Sequence, residues 1–144
     1  MAEQNFKNHS RLVPGFHFVA FSLVLFALVI SAIHLFKAIG AGYGRLSAAA
    51  ELALAVAVVL ALWFSRVFSL KAQDRAIRSE GNFRHFIATG KPFDSRLHIG
   101  QIIALRFADD EEFVELAKKA VDDNLSPKQI KEAITKWKGD HHRV

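Results

Sequence analysis

The chain has 144 residues, 51% of them hydrophobic and 23% charged, with a formal net charge of +5 and no cysteine. Without cysteine there are no disulfides, no thiolate nucleophile and no Cys-ligated metal. So apolar a chain that is also nearly a quarter charged fits membrane segments plus a small polar domain, not a single soluble globule.

Residues 1–13 form a polar N-terminal segment carrying Lys7 and Arg11. Between Arg11 and Lys37 there is no Lys, Arg, Asp or Glu. A hydrocarbon layer about 30 Å thick needs roughly 20 apolar helical residues at about 1.5 Å each. The first run satisfies this, and residues 14–38 are predicted as transmembrane helix 1. Only helices and closed barrels satisfy the backbone in lipid, and the chain is too short for barrel strands. An apolar stretch of about 21 residues also exceeds the 7–15 of a signal-peptide core, so this span is expected to be retained. His17 and His34 lie too far apart along it to hold one pigment or haem, and both read as interfacial histidines.

Residues 39–46, with three glycines and Tyr43, form an external turn. A second span follows over residues 47–70, with Ser47 as its expected N-cap. It is less clean than the first, because only residues 52–65 between Glu51 and Arg66 are free of formal charge. Arg66 can snorkel to the headgroups, whereas Glu51 is too short to do so. Folding the hairpin about residues 42–43 sets His34 opposite Glu51. The pair is either an intramembrane proton or ion site, or a hydrogen-bonded pair helped by the helix N-terminus at the bilayer edge. Ala20, Ala27, Ser31, His34 and Ala38 share one face of the first span. Ala53, Ala57, Ala61 and Ser65 form a small-residue row on the second. Such rows allow close helix approach, either within the hairpin or between subunits.

Residues 71–90 continue the second helix past the membrane. Lys71, Arg75, Arg78 and Arg84 are expected there as contacts to anionic lipid. Residues 91–144 form a small three-helix domain. Its last helix starts at Leu125-Ser126-Pro127-Lys128-Gln129-Ile130, which combines an N-cap, a first-position proline, a capping box and a hydrophobic staple. A middle helix starts at Asp109 with Glu112 in the box position, and His98 caps an earlier one. Phe113, Leu116, Ala117, Ala120 and Val121 make an apolar stripe on the middle helix. From Lys71 to Arg106 there are seven Lys/Arg and three Asp/Glu; from Asp109 to Asp123 there are two and seven. A domain that balances its own charge in this way leaves little to grip nucleic acid. The excess of Lys and Arg flanking the spans on the side of both termini, over Lys37 and Arg45 at the turn, places both termini in the cytoplasm.

No nucleophile elbow, phosphate loop or zinc spacing is present. Asp109-Asp110-Glu111-Glu112 reads as helix capping, and His141-His142 beside Asp140 lacks the further ligands a metal needs. No catalytic, cofactor-binding or metal site is therefore expected. Four segments resemble a family of small bacterial proteins of unknown function. They are Met1-Ala-Glu-Gln-Asn-Phe-Lys-Asn-His9 with Pro14, Arg66-Val-Phe-Ser-Leu-Lys-Ala-Gln-Asp-Arg75, Gln101-Ile-Ile-Ala-Leu-Arg-Phe-Ala-Asp109, and the ending with Ile130, Ile134, Trp137 and Asp140-His-His-Arg-Val144. The resemblance implies a bacterial inner-membrane protein with two spans and supplies no reaction. The fold expected is all-α: a two-helix transmembrane hairpin followed by a small cytoplasmic helical domain. The role expected is a non-catalytic accessory subunit or adaptor bound to a protein partner or to further copies of itself. A small homo-oligomeric channel or transporter with Glu51 and His34 near the pore is the alternative, and a lipid-sensing module a third reading.

Overall fold

A computed structural model describes residues 13–139. The expectations placed on Lys7, Arg11, Asp140, His141 and His142 lie outside the described residues. The protein is all-α: among the described residues the only sheet-like pairing is a single antiparallel bridge between Ala108 and Trp137. It divides into two compact units, a hairpin over residues 12–69 and a helical domain from Leu70 onward.

In the hairpin, a π-wound segment over Gly15–Ala20 leads into α1, Phe21–Ala41. The second helix, α2, spans Arg45–Thr89. Both helices are long and apolar enough to cross a membrane. The turn between them is three residues long, and it needs its glycines. Gly42 and Gly44 have φ of 83° and 69°, left-handed values that L side chains rarely adopt. Gly42 N–H closes α1 onto the Ala38 carbonyl, and Arg45 Nη2 donates to the Ile39 carbonyl. Ser47 does not cap α2. The helix starts two residues earlier, and the Ser47 hydroxyl donates back to the Gly44 carbonyl at 2.9 Å.

The residues withdrawn from solvent recur at intervals of three and four. On α1 they are Val24, Leu28, Ser31, Leu35 and Ala38; on α2 they are Ala48, Leu52, Ala55, Val59 and Leu62. That alternation is the seam of a left-handed helix pair. Its most buried members are small (Ser31, Ala38, Ala48 and Ala55), which is how helices approach closely where burial from water supplies no drive. Phe18, Phe26, Phe36 and Leu46 point outward.

In the helical domain the distal part of α2 is joined by α3 (Ile99–Leu105), α4 (Asp110–Asp122) and α5 (Pro127–Ala133). Gly81 does not break α2, which continues to Thr89 and ends on Gly90 in a left-handed conformation. A Cβ at Gly81 would lie 3.1 Å from the Phe93 ring, so the glycine is the site of close approach between α2 and the loop after it. The core comprises Ile77 of α2 with Leu97, Ile102, Leu105, Phe107, Phe113, Leu116, Ile130 and Ile134. Each short helix is capped locally. His98 and Gln101 form one capping box and Ser126 and Gln129 another. Asp109 Oδ1 accepts from Glu111 N–H at the start of α4.

Candidate functional site

In the hairpin, α1 and α2 bring His34 and Glu51 together. His34 Nδ1 donates to Glu51 Oε2 at 2.7 Å, the carboxylate being able only to accept. The side chains are 48% and 54% exposed, so the pair lies on the flank of the hairpin and not in its seam. Because α2 starts at Arg45, Glu51 is nearly two turns inside it. The helix-terminal field fades within the first turn, so the bond to His34 is the interaction that stabilises Glu51 here. His17 stands in the π-wound segment before α1, where its Nδ1 meets the Val13 backbone, 3.1 Å from the N–H and 3.0 Å from the carbonyl.

Ala53, Ala57, Ala61 and Ser65 are all exposed. They lie on the side of α2 opposite the Ala48–Ala55–Leu62 seam, so within the hairpin they pack on nothing. The row sits out of phase with the residues that α1 selects. On α1, Ser31 and Ala38 do enter the seam, while Ala27 and His34 are exposed; Ala20, at the end of the π-wound segment, is half-buried. An apolar groove of about 160 Å³ beside the seam, between Leu25, Leu28, Val59 and Trp63, offers no polar group to orient a ligand.

In the helical domain, Lys71, Arg75 and Arg78 are exposed along one flank of α2. Arg84, expected beside them at the lipid surface, is instead built into the domain. Its Nε donates to Asp110 Oδ1 at 2.5 Å, its Nη2 donates to the Ala108 carbonyl at 2.8 Å, and its guanidinium stacks 3.9 Å from the Phe113 ring centre. Only 21% of the side chain is exposed. A turn and a half beyond Arg78, the helix has rotated its cation toward the core.

The acidic run at the start of α4 is engaged residue by residue. Asp109 caps the helix, and Asp110 takes Arg84 and, at 3.4 Å, Lys138. Glu111 pairs with Lys136. Glu112 does not act as a local capping box. Its carboxylate accepts from Thr135 N–H, Thr135 Oγ1 and Lys136 N–H at 3.1, 2.6 and 3.1 Å. The Arg84 hydrogen bond lowers the Asp110 carboxyl below its ordinary value. For Glu112, partial burial raises the carboxyl, and the Thr135 and Lys136 hydrogen bonds outweigh it and lower the carboxyl overall. These acids therefore clamp α2 and the segment after α5 to the start of α4. Among the described residues no group of three His, Asp or Glu side chains is placed to hold a metal.

Gln101 carries a role that its capping position does not announce. Its Oε1 closes the box on His98 N–H, while its Nε2 donates to the carbonyls of Ala120 at 3.2 Å and Leu125 at 2.9 Å. One buried amide thus ties α3 to the end of α4. An open cavity of about 450 Å³ beside His85, Phe93 and Lys118 is rimmed by Asp94 and Arg96, which neutralise each other at 2.8 Å. The Arg96 hydrogen bond holds Asp94 at a pKa of about 2. His85 Nδ1 donates to the Lys91 carbonyl at 2.8 Å and so secures the loop. The Thr89 hydroxyl on the same wall lies 3.2 Å from His85 Nδ1, but it donates to the His85 carbonyl at 2.8 Å and so serves the end of α2.

Fold and surface together define an all-α protein that joins an apolar hairpin to a closed, self-paired helical domain. The chain belongs to a family of unknown function (DUF6526), whose profile matches residues 1–144. No curated protein and no solved structure matches it.

Proposed function

We propose that this protein is a non-catalytic integral membrane protein of the bacterial inner membrane, serving as an accessory subunit or adaptor of a larger membrane complex. The observation that carries the reading is the inverted hairpin. Its most buried residues are small while Phe18, Phe26, Phe36 and Leu46 face outward, a surface that water does not tolerate over two such long helices. The helical domain supports the rest. The acids at the start of α4 are spent on its own architecture, with Arg84, Lys136 and Lys138 as partners, and α2 still presents exposed Phe83, Phe86 and Ile87. Both termini lie in the cytoplasm in this reading, with Lys71 and Arg78 on the positive side and near anionic headgroups. The test has two stages. The chain should resist extraction from membranes by alkaline carbonate and, in mild detergent, migrate above its monomer mass. Release by carbonate removes the membrane assignment, and a monomer at every detergent level removes the subunit role.

A second reading is favoured by the His34–Glu51 bond, an ionisable pair joining two apolar helices. A small homo-oligomeric channel or transporter would use it to gate or relay an ion. Flux through reconstituted liposomes that is unchanged by Glu51→Gln defeats that role for the pair.

A further inference from the structure

In the helical domain, α2 has two unlike faces. Ile77, Gly81 and Arg84 pack on the domain, and Leu70 and Asp74 in the same phase are half-buried. On the opposite side, Ala72, Ala76, Ser79, Phe83 and Phe86 are all exposed. The intervals of this outer stripe are four, three, four and three, the spacing of core positions in a two-stranded coiled coil. Phe83 and Phe86 are 66% and 53% exposed, and Ile87 beside them 70%. Two charges flank the stripe on opposite sides. Arg75 immediately precedes the core-type position Ala76, and Glu80 immediately follows Ser79. Neither has an ion-pair partner among the described residues.

We infer that the outer face of α2 over residues 72–87 is the contact surface for a second copy of this chain, in a parallel, two-fold helix pair. In a parallel pair the residue before one core position reaches the residue five places further along the partner helix. That geometry sets Arg75 of each copy against Glu80 of the other, twice by symmetry. An antiparallel pair opposes residues of the same flank instead, and so loses this match. Parallel orientation is also what two copies inserted the same way in one bilayer must have, so the inference rests on the membrane reading. Small Ala72, Ala76 and Ser79 permit close approach at one end of the stripe, and two aromatic residues fill the other. Two heptads make a short coil in water. Confinement to one membrane raises the effective concentration that such a contact sees. Arg75 is then a partner contact, which leaves Lys71 and Arg78 to the headgroups.

Because the chain has no cysteine, a single introduced thiol reports without background. The full chain is reconstituted in liposomes and oxidised with copper phenanthroline. Ser79→Cys, on the stripe, should give a disulfide-linked dimer, and Arg78→Cys, on the flank, at least about fivefold less. Adding Arg75→Glu should lower the Ser79→Cys yield by about fivefold, the scale expected when two ion pairs become repulsive contacts. The further change Glu80→Arg should restore it. Equal yields at positions 78 and 79, no dimer, or a yield indifferent to the charge changes each overturns the inference, as a face covered by lipid or by another protein would produce. A chain that does not enter liposomes at all defeats the membrane reading itself. A chain that enters them without cross-linking through Ser79→Cys defeats only the helix pair.

Discussion

In the hairpin the aromatic side chains Phe18, Phe26 and Phe36 point outward and the most buried seam residues are alanine and serine; in the helical domain Phe107, Phe113 and Ile130 are sealed inside and the acids at the start of α4 pair on the surface. The two regions draw on the same residue types and arrange them in opposite order. The difference teaches that each region is stabilised by a different force. The domain depends on removing apolar surface from water. The hairpin shows the pattern expected where that drive is absent, with close van der Waals contact at small residues and polar bonds from His34 to Glu51 and from Arg45 to the Ile39 carbonyl.

Substitutions should therefore act on one region and spare the other. The largest effect is expected from Phe113→Ala, which removes the ring that packs against Phe93 and supports Arg84. It should destabilise the domain by about 3–5 kcal/mol. Amide hydrogen exchange should show the loss over α3 to α5 with the hairpin amides unchanged. Loss of protection in the hairpin as well would break the contrast. Gln101→Ala should cost about 1–3 kcal/mol, because it takes the donor from the Leu125 carbonyl and leaves the Ala120 carbonyl with only the Leu125 N–H. Denaturant unfolding of the detergent-solubilised chain would measure it. Arg84→Ala should cost about 1–2 kcal/mol through the lost Ala108 and Phe113 contacts.

The acidic clamp gives the domain its own pH dependence. Asp110 and Glu112 are held below their ordinary values of 3.8 and 4.5, so each titrates lower when folded than when unfolded. A depressed folded value contributes stability that is complete above the unfolded value and lost as pH falls through the folded one. The domain should therefore be insensitive to pH near neutrality and weaken progressively below about pH 4.5. Arg84→Ala should reduce the Asp110 share of that slope. Unfolding midpoints between pH 7 and about pH 3 would show it. The smallest effect is expected from Glu51→Gln in the hairpin, under about 1 kcal/mol, since both partners of the bond are half exposed. A larger loss of hairpin helicity would mean that the polar bond, not the seam, holds the two helices together.

What could be read from the chain alone follows from the range over which each signal acts. The charge-free run before Lys37 and the caps at Ser126–Gln129 are local patterns, and local chemistry decides them. The pairing of His34 with Glu51 was legible because a tight turn fixes which residues stand opposite. What could not be read has the opposite property. The row Ala53, Ala57, Ala61 and Ser65 is open, in sequence alone, to packing within the hairpin or between subunits, and that choice depends on the phase of both helices together, which leaves the row on the outside of the hairpin. Arg84 resembles its neighbours Arg75 and Arg78 until Asp110, 26 residues later, comes beside it. Glu112 sits where a capping box would have it, but its larger hydrogen bonds come from Thr135 and Lys136, 23 and 24 residues on. The two tasks of Gln101 are visible only once α4 is in place.

The acidic clamp also bears on how the domain is made. Arg84–Asp110, Gln101–Ala120 and Glu112–Thr135 span only 26, 19 and 23 residues. Closing such short loops costs little entropy, and folds dominated by near-neighbour contacts form in microseconds to milliseconds. Synthesis proceeds at roughly 5–20 residues per second, so each contact can form almost as soon as its second partner leaves the ribosome. The hairpin is made first and the domain last. Assembly of this domain therefore requires no waiting for a distant segment, and little apolar surface is left exposed while the chain is completed.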